Sequence, residues 1–213
     1  VWTRTPNDPV VSWFGQGDPA NEPINIGNYG TTERVYAVDP VPKELTADEA
    51  KYILGGQANI WTEYMLTPEK VEYMAFPRML ALSEALWSKP EDKNFADFSK
   101  RLAAQFPSLD ARHVNYRIPE PAGLKNAVVG GDGKATIELS PAAGTKVFYT
   151  LDGSTPTETS TAYTSPLTID LAQNERKDLK TMVRLANGRK SVVYSATLLR
   201  RDYLSPVDLA EKR

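Results

Sequence analysis

The hydrophobic pattern of this chain changes period once, and that change limits its possible folds more than any other feature. In the first part, apolar residues recur at three- and four-residue intervals between proline-bearing loops, the spacing of amphipathic helices. From Val114 onward they recur at every second residue in short runs, the spacing of half-buried strands. The boundary falls near Pro119-Glu120-Pro121. A chain of this kind is expected to fold as two parts, one rich in helix and one in sheet, with the short proline-bearing linker packing them together.

Within the first part, residues 1–45 carry Pro6, Pro9, Pro19, Pro23, Pro40 and Pro42 and read as extended loop. Thr46-Ala47-Asp48-Glu49 has the form of a capping box and predicts a short helix to about Leu54, stopped by Gly55-Gly56. Gln57 to Trp61 is short and bounded by glycines, and reads as a buried strand with Thr62 and Glu63 at its carboxyl end. Thr67-Pro68-Glu69 starts the next helix with an N-cap, a proline at the first turn and an early acid. Val71, Met74, Ala75, Leu80, Leu82, Ala85 and Leu86 form its apolar face, and Pro77 should kink it. A further helix from Asn94 to Phe106 aligns Phe95, Phe98, Leu102 and Phe106, sets Asp97 four residues before Arg101, and should end at Pro107.

In the second part, Ala135–Leu139, Lys146–Leu151, Thr181–Leu185 and Ser191–Ser195 read as strands. The turn signals between them are Gly130-Gly131-Asp132-Gly133, Asp152-Gly153 and Asn187-Gly188. An antiparallel β-sandwich of the immunoglobulin-like kind is the expected architecture. The division is 1–118 for the helical part, 119–204 for the sandwich and 205–213 for a tail.

Composition narrows the function classes. With 25 basic and 27 acidic residues the formal net charge is −2, and no block of like charge runs along the chain, so a nucleic-acid partner is not indicated. There are no cysteines and one histidine, His113, so neither a thiolate nor a histidine-rich metal site can be assembled, and no cofactor is expected. The apolar stretches fall short of the roughly 20 residues that a spanning helix needs. The chain opens with Val1-Trp2-Thr3-Arg4 rather than a start methionine or signal peptide, which suits a mature or truncated product.

Three ordered segments carry a resemblance: Gly55-Gly56-Gln57-Ala58-Asn59-Ile60-Trp61-Thr62-Glu63-Tyr64, Val71-Glu72-Tyr73-Met74, and Phe76-Pro77-Arg78-Met79-Leu80-Ala81-Leu82-Ser83-Glu84. Together with Val35-Tyr36, Pro40-Val41-Pro42, Trp87 and the Phe98 to Leu102 segment, they resemble the end of a family 20 glycoside hydrolase, over about residues 20–117. The second part resembles the C-terminal domain of chitobiases and hexosaminidases through Tyr149-Thr150-Leu151-Asp152-Gly153-Ser154-Thr155-Pro156, Ser160, Tyr163 and Pro166. The resemblance implies an α+β chain: a C-terminal fragment of a (β/α)8 TIM barrel, with its last strand and helices, followed by the sandwich.

The resemblance also implies a site. Barrel enzymes place their reacting groups at the carboxyl ends of strands. An indole offers a flat apolar platform to a pyranose, and a carboxylate accepts bonds from sugar hydroxyls. By resemblance, Trp61 lines the subsite for a terminal N-acetylhexosamine and Glu63 bonds its hydroxyls at carbons four and six. Read from the residues alone, Trp61 is core and Glu63 a solvated acid beside a helix.

Family 20 enzymes retain configuration with the substrate's own acetamido oxygen as nucleophile, an aspartate orienting it and an adjacent glutamate as general acid. That pair sits on an earlier strand. The one Asp-Glu dipeptide, Asp48-Glu49, lies in a capping box, and the family's acetamido-holding tyrosine and aspartate correspond to the region of Val11 and Trp13. No catalytic residue is therefore assigned, and the isolated chain is expected to be inactive. A closed barrel typically takes about 250 residues, more than this chain contains.

The implied partners are an N-acetylhexosamine-bearing glycan and the missing N-terminal part of the barrel, and family habit places such enzymes in the periplasm or at the cell surface. The competing expectation is a non-catalytic module that binds glycan, through tyrosines such as Tyr149 and Tyr163, or supports the barrel. His113 is expected to have a surface or packing role, Arg78 to pair with Glu84 or Glu72, and Asp152-Gly153-Ser154 to be a turn.

Overall fold

The computed structural model describes residues 30–60, 62 and 65–201. The chain divides into two compact units, with the boundary in sequence between Pro119 and Glu120.

In the first unit the described secondary structure is helical. α1 (Thr32–Tyr36) lies inside the stretch expected to be loop. It forms because Thr31 accepts the Arg34 N–H at 3.0 Å, and because Val35 and Tyr36 are buried. α2 (Ala47–Ala50) has the full capping box, with the Glu49 carboxylate accepting the Thr46 N–H at 2.9 Å. It stops short of Leu54. Tyr52 and Leu54 are 75% and 98% exposed, and a helix this short does not propagate without packing.

The helix expected around Pro77 is two helices, α3 (Pro68–Ala75) and α4 (Arg78–Trp87), separated by a cis Phe76–Pro77 peptide. The helices end at Ala75 and restart at Arg78, so the segment is divided at Pro77 instead of running as one kinked helix. The next helix shows the opposite. α5 (Phe95–Ala111) runs through Pro107 for another turn, because its buried row continues from Phe98, Leu102 and Phe106 to Leu109. Pro107 removes one backbone donor, and the packing of that row outweighs the loss. α5 closes with the Val114 N–H donating to the Leu109 carbonyl at 3.0 Å, and with His113 left-handed at φ 57°. Tyr36 stacks on Phe98 with ring centres 4.8 Å apart, and Phe106 stacks on Tyr116 at 4.8 Å.

The second unit is built from seven strands: β1 (Ala127–Val129), β2 (Lys134–Ile137), β3 (Lys146–Thr150), β4 (Thr161–Ala162), β5 (Leu167–Asp170), β6 (Arg176–Arg184) and β7 (Tyr194–Arg200). Five form a sheet in the order β1-β7-β6-β3-β4, and β2 pairs with β5 in a two-stranded sheet. The unit is sheet-rich and consistent with the expected sandwich. Its pairing is antiparallel except at one edge, where β1 runs parallel to β7, so the expectation of a wholly antiparallel fold is corrected there. The Asn126 side chain fixes that edge by accepting the Thr197 N–H at 2.8 Å.

Alternation places the core. Leu179, Thr181, Val183 and Leu185 are buried along β6 and its continuation, facing a unit that also buries Val147, Ile137, Ile169, Ala196 and Leu198. The Asn187-Gly188 turn joins β6 and β7 as the dipeptide predicts, with Gly188 at φ 88°. The ladder is not continuous behind it. Arg184 bridges Lys190, whereas Thr181 pairs with Tyr194, so one extra residue is absorbed between Ser191 and Tyr194. The Ser191 hydroxyl accepts the Val183 N–H and donates to the Val192 carbonyl within this bulge. The strand expected at Ser191–Ser195 accordingly begins only at Tyr194 and extends to Arg200.

Candidate substrate-binding segment

The segment from Gly55 to Met65 links α2 to α3. Gly55 has φ 147°, a conformation that L side chains rarely adopt. Gly56 lies against α4: a Cβ built there would sit 3.2 Å from Leu86 Cδ2 and 4.0 Å from Pro40 Cβ. The chain then runs through Gln57, Ala58, Asn59 and Ile60, of which the last three are half-buried. These residues do not form the expected strand. A strand is held by backbone bonds to a neighbour, and the described residues of this unit contain no other strand to supply them. The Met65 N–H donates to the Thr62 carbonyl at 3.0 Å. Thr67 then caps α3 by accepting the Lys70 N–H at 3.2 Å. Trp61 and Glu63, the two residues singled out for sugar binding, lie outside the described residues, as do Val11 and Trp13.

Two arginines of this unit are buried. Arg78 is 2% exposed, with Nε donating to the Gly30 carbonyl at 2.9 Å and Nη1 to the Met74 carbonyl at 2.8 Å. The acids expected as its partners are engaged elsewhere. Glu72 accepts the Asn115 N–H at 2.7 Å, and Glu84 accepts both the Tyr36 hydroxyl, at 2.9 Å, and Arg101. Arg101 thus pairs with Glu84 rather than Asp97, and Asp97 pairs with Lys100 at 3.3 Å. Arg117, also 2% exposed, stacks over Tyr73 with its guanidinium carbon 5.7 Å from the ring centre, and its backbone N–H donates to the Phe76 carbonyl.

Tyr36 is the residue that sequence reasoning left without a role. Its hydroxyl donates to Glu84 and accepts the Asn94 N–H at 3.0 Å, so a single side chain ties α1 to α4 and to the start of α5. Burial, followed by the bond to Glu84, raises its pKa above the usual phenol value. A helix of five residues carries little periodic signal, and nothing local in Val35-Tyr36 points to Glu84, 48 residues away.

Two described carboxylates have their pKa held low by local bonds. Bonds from Thr46 hold Glu49 below the usual glutamate range, opposite to what a proton donor near neutral pH requires. Asp48-Glu49 is therefore a helix cap. Asp152 is likewise held low by the Ser154 hydroxyl and N–H, at 2.6 and 3.0 Å, which makes Asp152-Gly153-Ser154 a turn. Among the described residues no group of three or more His, Cys, Asp or Glu side chains is disposed to hold a metal. No helix among them is long and apolar enough to cross a membrane.

Comparison with known proteins supplies the class. Residues 7–90 match the glycosyl hydrolase family 20 catalytic domain, and residues 129–195 match the chitobiase/beta-hexosaminidase C-terminal domain. A beta-hexosaminidase of Porphyromonas gingivalis is 43% identical over 181 residues, which is 84% of this chain and 23% of that relative. A beta-hexosaminidase of Vibrio vulnificus is 28% identical over 64% of this chain and 19% of its own length. A beta-N-acetylhexosaminidase of Cellulomonas fimi is 34% identical over 30% of this chain and 13% of its length. The chain thus carries part of a glycosyl hydrolase family 20 catalytic domain followed by a chitobiase/beta-hexosaminidase C-terminal domain. It spans about a quarter of the Porphyromonas relative, 23%.

Proposed function

We propose that this chain is the substrate-cradling end of a β-N-acetylhexosaminidase that removes terminal N-acetylhexosamine from glycans by substrate-assisted, retaining hydrolysis. The observation that carries the reading is the 43% identity to a beta-hexosaminidase, sustained through both the helical and the sheet-rich unit. In this reading the first unit is the end of a (β/α)8 barrel, and the stretch ending in Trp61 and Glu63 is its last strand. That stretch becomes a strand only when neighbouring barrel strands pair with it, which accounts for its lack of a ladder here.

The division of labour follows from chemistry. Trp61 presents an indole face to the apolar side of the sugar ring, and Glu63 accepts bonds from the hydroxyls at carbons four and six, fixing the ring against the attack of its own acetamido oxygen. The aspartate that orients the acetamido group and the glutamate that protonates the leaving oxygen come from the rest of the catalytic domain. The chain alone is therefore inactive. Export to the periplasm or cell surface belongs to the same proposal.

The alternative, an accessory module, is favoured over enzyme only for the second unit, and there as support rather than glycan binding. Among its described residues the one large hydrophobic side chain that is strongly exposed is Val128. Tyr163 is half-buried, its hydroxyl accepting the Leu139 N–H at 2.9 Å. No described line of exposed aromatic rings offers a stacking platform.

The test is hydrolysis of a chromogenic N-acetylglucosaminide by the purified chain. No turnover is expected. Turnover that disappears in Glu63→Gln would overturn the claim that the acid and the orienting carboxylate lie elsewhere.

A further inference from the structure

Charge is balanced along most of the five-stranded sheet of the second unit and unbalanced at one end. One face of β6 carries Arg176, Asp178, Lys180, Met182 and Arg184. There Arg176 is bonded to Asp178 at 3.1 Å, and Lys180 donates to the Gly153 carbonyl at 2.6 Å. At the far end the register sets Lys146 of β3 opposite Arg184, and Arg184 opposite Lys190 across the hairpin. Residues paired across strands share a face, so three cations stand side by side over about 10 Å at the usual strand spacing. One described carboxylate serves them: Glu158 lies 2.7 Å from Arg184 Nε and 3.4 Å from Lys190 Nζ. Lys146 has no ion-pair partner among the described residues. Like charges directly opposite one another oppose folding, so this row is a cost that the packing of the sheet does not explain.

We propose that Lys146, Arg184 and Lys190 form a binding surface for an acidic glycan, one whose sugars carry carboxylate or sulfate groups. Lys146 and Lys190 are exposed and Arg184 half-buried, so all three present their charge to solvent. Beside them Thr157 and Thr159 are exposed on either side of Glu158, their hydroxyls 2.8 Å apart, and offer partners to sugar hydroxyls. The cations supply the charge-assisted bonds and the steering of an anionic chain. The unit has no described aromatic platform for neutral rings, and this ionic mode needs none. A single-stranded nucleic acid, by contrast, is held by bases stacked on aromatic side chains. A lipid surface calls for apolar side chains beside the cations. Val128, the unit's strongly exposed large hydrophobic residue, aligns with Leu199, which sits opposite Arg176 at the other end of β6.

The experiment is titration calorimetry at low salt on the whole-length enzyme containing this chain. The probes are heparin, polygalacturonate and uncharged dextran, with duplex DNA and phosphatidylglycerol vesicles as rivals. Heparin or polygalacturonate should bind and dextran should not. Polygalacturonate carries carboxylates alone and heparin adds sulfates, so their ranking tells which group is recognised. Lys146→Gln and Lys190→Gln should each weaken binding about threefold, and their combination about tenfold, with a shallower dependence on salt. Lys134→Gln removes the same charge from β2, in the other sheet, and should leave the affinity unchanged. Thermal unfolding of each variant checks the fold: Lys146→Gln should be neutral or slightly stabilising, since it relieves like-charge repulsion.

Failure of both acidic glycans to bind overturns the proposal. So do equal losses in Lys134→Gln and Lys146→Gln, which would reduce the binding to net charge. Tighter binding of DNA or of vesicles than of either glycan overturns it in favour of that partner. A marked fall in the melting temperature of Lys146→Gln also overturns it, because the row would then be a stabilising part of the sheet.

Discussion

The two units of this chain satisfy their apolar and polar groups in different ways. The sheet unit buries alternate side chains of β2, β5, β6 and β7 against one another, and Val128 is its one strongly exposed large hydrophobic residue among those described. The helical unit leaves Tyr52, Leu54, Leu66 and Trp87 between 75% and 98% exposed. Its helices are held by side chains reaching across long sequence separations: Arg78 to Gly30, Lys93 to Val38, Tyr36 to Glu84, Asn115 to Glu69. The sheet unit closes its own core. The helical unit instead stitches its described elements through polar bonds while leaving leucines and a tryptophan exposed.

The comparison can be broken most directly in the sheet unit's backbone. Gly123 has φ 87°, and a Cβ there would lie 2.1 Å from the Glu138 carbonyl oxygen, a backbone atom that cannot swing away. Gly123→Ala should destabilise that unit by about 3 kcal/mol or more in urea titration. If it does not, the unit is looser than its burial implies. Leu179→Ala, at a fully buried position in the central strand, should cost about 2–5 kcal/mol in the same titration.

In the helical unit the corresponding weak point is polar. Arg78→Met keeps the apolar stem but leaves the Gly30 and Met74 carbonyls without their donor, and should cost about 2–3 kcal/mol. A smaller loss would mean that its bonds, unlike the sheet core, contribute little.

Thr181 sharpens the contrast from the other side. Its hydroxyl is buried in the sheet core and has no partner among the described residues, so Thr181→Val should be neutral or stabilise by up to about 1 kcal/mol. The smallest effect is a pH dependence at Asp178. Its carboxylate accepts the Thr197 hydroxyl at 2.8 Å, and then Arg176, which together hold its folded-state pKa below the ordinary value of 3.8. The depressed pKa means a contribution to stability that is present above about pH 4 and lost as pH falls through the folded-state value. Asp178→Asn should flatten that acid limb of the thermal unfolding curve and change little at pH 7.

How much of this was legible in the sequence depended on how local the cause was. The capping box at Thr46, the proline-led start of α3 and the Asn187-Gly188 turn are local signals, and each was readable. Pro107 was misread because the outcome depended on Leu109 continuing a buried row, a tertiary effect. α1 was missed because its five residues are fixed by Tyr36 bonding to Glu84 on another helix. The parallel β1–β7 edge has no signature in an alternating pattern, which reports faces rather than strand direction. The Gly55 to Glu63 segment was legible as a motif, whereas its contact with Leu86 was not, since a glycine's sequence context does not say what approaches it.

The central claim is that Glu63 holds the sugar for chemistry completed by the rest of the catalytic domain. The most direct measurement is kcat/KM for a chromogenic N-acetylglucosaminide by the whole-length enzyme with Glu63→Gln beside wild type. Loss of the carboxylate's charge and of one of its two acceptor oxygens should lower it by on the order of a hundredfold, with the folded state retained. An unchanged kcat/KM would contradict the account and leave this segment a structural connection between α2 and α3.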